Sequence, residues 1–378
     1  MPELLDIIGQ DAALAQLQRA VAGTRRPHAY IFAGSEGVGR RTTATEFARL
    51  LLCESPVSRD NAGHLAELPA GFKLHSACGR CSSCRTVSAG TNADFHLVYK
   101  ELARFHDDQK VRDRKMQALS IEVVRDFLLD PAYRGSAGGR GRVFLVLQAE
   151  LMSVPAQNAL LKTLEEPPDG VTIILIASSA GDLLATTRSR CQLIRFGPLP
   201  LDFVAGGLAE GGTAPTEATF WAALTGGSIG QAQRFAAEKL YDFKRQLVAA
   251  LAAQGAEPGQ LAELLTKTMD RQAKKLQRAD DALAASLANR QAGATVLCLL
   301  GSAYRDALGV ACGSPRPLIH ADQADAIARI AARLGPTGTA EVLSQLARYE
   351  TLLWRNVNTK LLWDNVELTC ASAAALEV

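Results

Sequence analysis

The segment FAGSEGVGRRTTA, from Phe32 to Ala44, limits the possible folds more than any other part of the sequence. A short apolar run, AYIFAG, leads into it, and a helical pattern, TTATEFARLLLC, follows the glycines. A buried strand that runs through a glycine-rich loop into a helix is the setting of phosphate-binding loops. The glycines that such a loop needs are present at Gly34, Gly37 and Gly39. The sequence therefore predicts an α/β fold of the phosphate-loop (P-loop) type.

The residues that should carry the chemistry of this loop are missing. Its signature requires Lys followed by Ser or Thr, but the chain has Arg40 and Arg41, and Thr42 offers a hydroxyl one residue late. The strand RVFLVLQ should end in acidic residues, yet it ends at Gln148, and Glu150 is the nearest carboxylate. A helix N-terminus can still hold an anion. These losses together disfavour ATP hydrolysis and do not favour ATP binding.

A cysteine pattern typical of a metal site comprises four residues: Cys53, Cys78, Cys81 and Cys84. Three of them form the doubled spacing CGRCSSC, and four thiolates complete a tetrahedral zinc site without an open position. We therefore expect a structural zinc ion. A disulfide is disfavoured in a reducing compartment, and a redox dithiol leaves one clustered cysteine unexplained. We prefer Cys53 as the fourth ligand, and His64 and His75 are the alternatives.

Helices and continuous apolar strands alternate as far as RFGPLP, and only helical patterns follow. Such alternation is typical of a parallel sheet covered by helices on both faces. We predict an α/β domain at 1–197 with a zinc module at 53–84 inserted in it. A small helical domain at 198–240 and a C-terminal helical domain at 241–378 follow.

Composition restricts the function further. The 378 residues carry a net charge of +2, which is too small for a protein that holds DNA alone on a broad basic face. This argues against an independent zinc-bearing DNA-binding module. The first 21 residues lack the apolar core of a signal peptide, and no apolar run approaches membrane-spanning length. We expect a cytoplasmic protein with no membrane partner.

Four segments carry a resemblance to a known family: HAYIFAGSEGVG, QNALLKTLEEPP, TTRSRCQLIRF and, more weakly, RNVNTKLLWDNVEL. With the cysteine cluster, they resemble the bacterial DNA polymerase III clamp-loader subunits of the AAA+ class. The resemblance implies an AAA+ domain, a helical lid and an all-α collar that joins subunits. The hydrolysing tau/gamma subunits keep Lys-Thr and Asp-Glu signatures that this chain lacks, so it is similar to the non-hydrolysing delta-prime type.

The same resemblance implies a role for Arg190, in the triplet Ser189-Arg190-Cys191. In the family, this arginine acts in trans as an arginine finger at the ATP of a neighbouring subunit. The alternative is an ordinary surface salt bridge, and Arg188 has the same ambiguity. The implied partners are the tau/gamma ATPase subunits, the delta subunit, the sliding clamp and, within the complex, primed DNA.

The implied function is support of sliding-clamp loading onto primed DNA during replication, without intrinsic ATPase activity. The alternative is an atypical tau/gamma-type ATPase in which Arg40 and Thr42 replace Lys and hydroxyl and Glu150 acts as the base. The sequence leaves open the subunit stoichiometry, the clamp contacts and the role of the insertions at 54–77 and 100–118.

Overall fold

The computed structural model describes residues 3–112, 118–253, 258–279, 283–355 and 357–372. The chain divides into two compact units, Met1–Pro200 and Leu201–Val378. The first unit contains all the strands that the described residues form, and the second contains only helices among its described residues. A separate lid and collar, with a boundary at residue 241, stays a prediction.

The first unit is built on a five-stranded sheet. Its strands are β1 (Ala29–Ala33), β4 (Phe95–Val98), β5 (Arg142–Val146), β6 (Val171–Ala177) and β7 (Gln192–Arg195). The order in space is β4-β5-β6-β1-β7, and every neighbouring pair is parallel. Helices pack on it: α1 (Asp11–Ala22), α2 (Arg40–Leu52), α3 (Ser82–Ser88), α4 (Gln109–Arg112), α5 (Ile121–Val124), α6 (Asp130–Ala132), α7 (Val154–Glu165) and α8 (Ala185–Arg188). The predicted parallel-sheet α/β fold is confirmed, and β7 is a strand that the sequence analysis did not identify.

The sheet has a hydrophobic layer on each face because side chains alternate along a strand. From β1, Tyr30 and Phe32 pack in one layer with Phe47 of α2. Ile31 and Ala33 belong to the layer on the opposite face, which includes Leu160 of α7. All residues of β1 and β6 are buried. This burial explains why both strands are continuous apolar runs in the sequence.

The insertion at 54–77 forms an antiparallel hairpin of β2 (Val57–Asp60), which is exposed, and β3 (Lys73–Ser76), in which Leu74 and Ser76 are buried. Of the second insertion, at 100–118, residues 113–117 lie outside the described residues. The part before them contains a 3₁₀ turn at Lys100–Phe105 and the short helix α4. The hairpin connects the end of α2, where Cys53 lies, to the start of α3, where Cys81 lies.

The second unit contains eight helices in its described residues: α9 (Leu201–Glu210), α10 (Pro215–Leu224), α11 (Ile229–Glu238), α12 (Tyr241–Ala252), α13 (Gln260–Ala279), α14 (Ala285–Ala311), α15 (Ala324–Leu353) and α16 (Thr359–Ser372). Helix α15 is kinked at Gly335, which has a φ of +58° and precedes Pro336. Among the described helices, α14 is the one that is long and apolar enough, by length and composition, to cross a membrane. Half of its most apolar window is buried within the protein, as in the core helix of a soluble protein.

A partly buried ion pair stabilises the second unit. Lys244 of α12 is fully buried and donates a hydrogen bond to Asp322, which also accepts one from the Tyr241 hydroxyl at 2.9 Å. The Lys244 ammonium lies 4.3 Å from the centroid of the Phe220 ring, in cation–π geometry. Burial lowers the pKa of Lys244, and the hydrogen bond to Asp322 opposes that shift. Asp322 therefore supplies the counter-charge for an ammonium that has no contact with water.

We predict that Asp322→Ala lowers the free energy of unfolding by about 3–5 kcal/mol, because it leaves a buried ammonium without a counter-charge. Adding Lys244→Met should recover part of this loss. The matched control is Glu263→Ala, which breaks the exposed Glu263–Lys267 pair and should cause no measurable change. Urea unfolding measures all three. Equal losses in Asp322→Ala and in the control would contradict the prediction.

Candidate functional site

The glycine loop leads from β1 directly to the N-terminus of α2. A Cβ atom on Gly34 would lie 2.5 Å from the carbonyl oxygen of Phe196, so only glycine fits this approach. Gly37 has a φ of +80°, and Gly39, with a φ of +97°, is the N-cap residue of α2. This left-handed conformation is costly for other residue types. The loop thus ends at a helix N-terminus, where backbone N–H groups face an anion in phosphate-binding proteins.

Arg40, the first residue of α2, does not extend into solvent. It is 8% exposed, and its Nη1 donates a hydrogen bond to the carbonyl oxygen of Ala177, at the carboxyl end of β6. Burial lowers the pKa of Arg40, while the carboxylates of Glu150 and Glu36 oppose that shift. The guanidinium of Arg40 is therefore hydrogen-bonded at the end of β6, and its charge interacts with the carboxylates of Glu150 and Glu36.

The next residues of α2 have different surroundings. Arg41 is exposed and Thr42 is half-buried. Thr43 is buried and donates its hydroxyl to the carbonyl oxygen of Gly39 at 3.0 Å. The structure thus brings Arg40 to the sheet edge, leaves Arg41 at the surface and keeps the hydroxyl of Thr42 one residue beyond the usual position.

Glu150, which the sequence analysis named as the base of the alternative ATPase, also reaches this edge. After β5, Gln148 adopts a left-handed φ of +51°, and a 3₁₀ turn follows at Ala149–Leu151. The turn lets Glu150 Oε1 accept a hydrogen bond from the Ser178 hydroxyl at 2.7 Å. The nearness of Glu150 to the end of β5 was the available signal, but the turn at Gln148 was not apparent from the sequence.

Arg190 lies after α8 and forms an ion pair with the end of α7. Its Nε donates to Glu165 Oε1 at 2.8 Å, and its Nη1 donates to the carbonyl oxygen of Thr186 at 2.9 Å. The side chain of Arg190 is 33% exposed and that of Glu165 is 50% exposed. Exposed pairs of this kind contribute only about 0–1 kcal/mol to stability. The guanidinium is therefore accessible from outside the chain, with Glu165 as its counter-charge.

The structure brings together the sulfur atoms of four cysteines: Cys53, Cys78, Cys81 and Cys84. These atoms all lie within 4.8 Å of one another. Cys53 is the C-cap residue of α2, and Cys81 is the N-cap residue of α3. Backbone N–H groups of Cys78, Cys81 and Cys84 point to the sulfurs of Cys53, Cys78 and Cys81 at 3.3–3.4 Å. Such donors stabilise the thiolate form that binds metals.

Both alternative histidine ligands are engaged elsewhere. His64 Nε2 lies 2.6 Å from the carbonyl oxygen of Leu5, and His75 Nδ1 lies 3.0 Å from the Ser58 hydroxyl. Hydrogen bonds, first from the Ser55 hydroxyl, lower the pKa of Cys78 to about 5, whereas burial raises the pKa of Cys53 and of Cys84. Four sulfur ligands at this spacing fit a tetrahedral metal ion such as zinc.

The parallel sheet and the glycine loop at the carboxyl end of β1 define the class as an α/β protein of the phosphate-loop type. A family model described as DNA polymerase III, delta subunit, matches residues 9–200, about half of the chain. The chain belongs to this family, the delta-prime family of clamp-loader subunits. The family identified from the sequence is thereby confirmed.

The relatives carry two subunit names. Subunit delta' of Pseudomonas aeruginosa is 32% identical over 226 residues, which are 58% of this chain and 59% of that protein. Subunit tau of Escherichia coli is 31% identical over 186 residues, 49% of this chain and 24% of that protein. The chain thus matches less than two thirds of the length of these relatives.

Among solved structures, a DNA polymerase III gamma subunit-related protein from Thermotoga maritima aligns over 96% of this chain and 99% of its own. The identity is 16% and the TM-score is 0.44. At this TM-score the similarity supports no further conclusion.

Proposed function

We propose that this chain is a non-hydrolysing subunit of a DNA polymerase III clamp loader. In this role it assembles with tau/gamma ATPase subunits and a delta subunit in the cytoplasm and supports loading of a sliding clamp onto primed DNA. The observation that carries the proposal is the state of the glycine loop. Arg40 stands at the lysine position and is bound to the end of β6, while exposed Arg41 stands at the hydroxyl position. Neither an ammonium nor a hydroxyl is available there for phosphate and Mg²⁺.

One observation favours the alternative, an ATPase with a rewired loop. Glu150, Ser178 and Arg40 meet at the carboxyl edge of the sheet, where a catalytic carboxylate would have to act. However, Glu150 accepts a hydrogen bond from Ser178 and interacts with the charge of Arg40. A carboxylate held in this way is less available to activate a water molecule than a free one.

We predict that the purified chain shows no ATP turnover above a blank in the presence of Mg²⁺, even after clamp and primed DNA are added. The physical reason is the absence of the lysine ammonium, the hydroxyl and the metal-binding acid from the loop and the end of β5. A phosphate-release assay is the measurement, and a tau/gamma subunit is the positive control. Turnover that disappears in Arg40→Ala would replace the proposal with the ATPase alternative.

We further propose that Arg190 acts as an arginine finger at the ATP of a neighbouring subunit. Its permanent charge and several donors suit a phosphate on which charge shifts during hydrolysis. The accessibility of its guanidinium supports this role. The ion pair with Glu165 supports the salt-bridge alternative equally well, so an experiment must separate the two.

In a reconstituted loader, we predict that Arg190→Ala slows hydrolysis at the neighbouring site by about 10³-fold and leaves assembly intact. Total DNA-stimulated ATP turnover should fall only by the fraction that this one site contributes to it. The matched control is Glu165→Ala, which breaks the same ion pair but keeps the guanidinium, and it should leave turnover nearly unchanged. Equal slowing by both variants would mean that the pair is structural and that Arg190 is not a finger.

We also propose that the cysteine cluster holds a structural zinc ion. We predict one zinc per chain by elemental analysis, and a melting temperature that falls by about 5–10 °C when the metal is removed by chelation. Cys81→Ser should lose the zinc, whereas the control Cys312→Ser, at an exposed cysteine outside the cluster, should retain it. If removing the metal by chelation left the melting temperature unchanged, this result would contradict the proposal of a structural zinc ion.

A further inference from the structure

A cavity of about 560 Å³ lies at the carboxyl ends of β6, β1 and β7. Its walls come from the start of the glycine loop, the turn after β6, helix α8 and strand β7. In parallel α/β sheets, ligands bind outside the carboxyl ends of strands where successive connections leave to opposite faces. Here α2 follows β1 on one face, and the connection after β6 packs Leu183 on the other face. The cavity therefore occupies a favoured position for a ligand.

This cavity is not the phosphate cradle of the glycine loop. Its floor includes Ile31 and Ala33, whose side chains belong to the hydrophobic layer on the face away from α2. The helix N-terminus that follows the loop lies with the layer on the other face, where Phe32 packs with Phe47. Of the three loop glycines, only Gly34 lines the cavity.

Two arginines line the cavity without a counter-charge. Arg188 and Arg195 are exposed, and neither guanidinium forms an ion pair or hydrogen bond with any residue that the structure describes. The described lining also contains no acidic side chain. Arg190 differs, because Glu165 neutralises it. Guanidinium groups that share a cavity repel each other, and an anion that accepts hydrogen bonds from both removes this repulsion.

The remaining lining suits a phosphate group joined to an apolar body. The Ser179 hydroxyl oxygen accepts from the N–H of Gly181 at 3.1 Å, and its proton is left to donate to a ligand. The half-buried apolar side chain of Leu193 forms another part of the wall, and Ile31, which is 1% exposed, lies beneath it. The volume lies in the usual range for small-molecule sites, which is about 300–1,000 Å³, and exceeds the needs of a single phosphate.

We propose that this cavity binds a nucleoside phosphate, with Arg188 and Arg195 holding the phosphates and Leu193 contacting the apolar part. Arginine forks match phosphate oxygens in geometry and charge. The site shares Gly34 with the glycine loop but differs from the phosphate cradle of that loop, and the inference does not depend on the clamp-loader proposal.

The test is calorimetric titration of the full chain with ADP and, separately, with inorganic pyrophosphate. We expect ADP to bind more tightly than pyrophosphate, because only ADP reaches the apolar wall. Replacing both cavity arginines, Arg188→Ala with Arg195→Ala, should weaken ADP binding by about tenfold for each arginine. The matched control Arg41→Ala removes one exposed arginine at the glycine loop and should change the affinity by less than about twofold.

Three results would overturn the proposal: no ADP binding by the unchanged chain, undiminished binding by the double alanine variant, or a larger loss in Arg41→Ala, which would assign the ligand to the glycine loop. Equal affinity for ADP and pyrophosphate would overturn the part concerning the apolar wall. Circular dichroism checks the fold of each variant. If the double alanine variant does not fold, the double lysine variant, which keeps the charges but loses the forks, should show an intermediate loss.

Discussion

Strand β1 has a hydrogen-bonded neighbour on each edge and a hydrophobic layer on each face. A strand enclosed in this way cannot shift its register without moving apolar side chains out of a packed layer. Its carboxyl end is therefore fixed, and the chain must turn where Gly34 meets the Phe196 carbonyl. The start of α2, the direction of Arg40 and the position of the arginine-lined cavity all depend on this constraint.

The enclosed strands were predictable because a fully buried parallel strand is a continuous apolar run, as in AYIFA and VTIILIA. Strand β7 was not, because it lies at the sheet edge and only Ile194 of its four residues is buried. Its pairing with β1 joins segments more than 150 residues apart, and no local pattern marks such a contact. The hairpin β2–β3 also escaped prediction, since β2 is fully exposed and Leu74 is the one buried apolar residue of β3, which is too little for an apolar pattern.

The candidate sites also differ in whether local or distant contacts determine them. The doubled spacing of Cys78, Cys81 and Cys84 is a local signal, and the structure groups these residues with Cys53. The direction of Arg40 is set by the carbonyl of Ala177, 137 residues away. Glu150 reaches the sheet edge through a left-handed Gln148, a conformation that is uncommon outside glycine and depends on the surrounding structure.

Helix α2 has the glycine loop at one end and Cys53 at the other. Its 13 residues span about 20 Å at 1.5 Å per residue. An ion bound by the cysteines is thus too far from the loop to touch a ligand there, and its charge is largely screened over that distance. The cysteines can therefore influence the loop only through the helix that connects them, and not by direct contact with a ligand bound there.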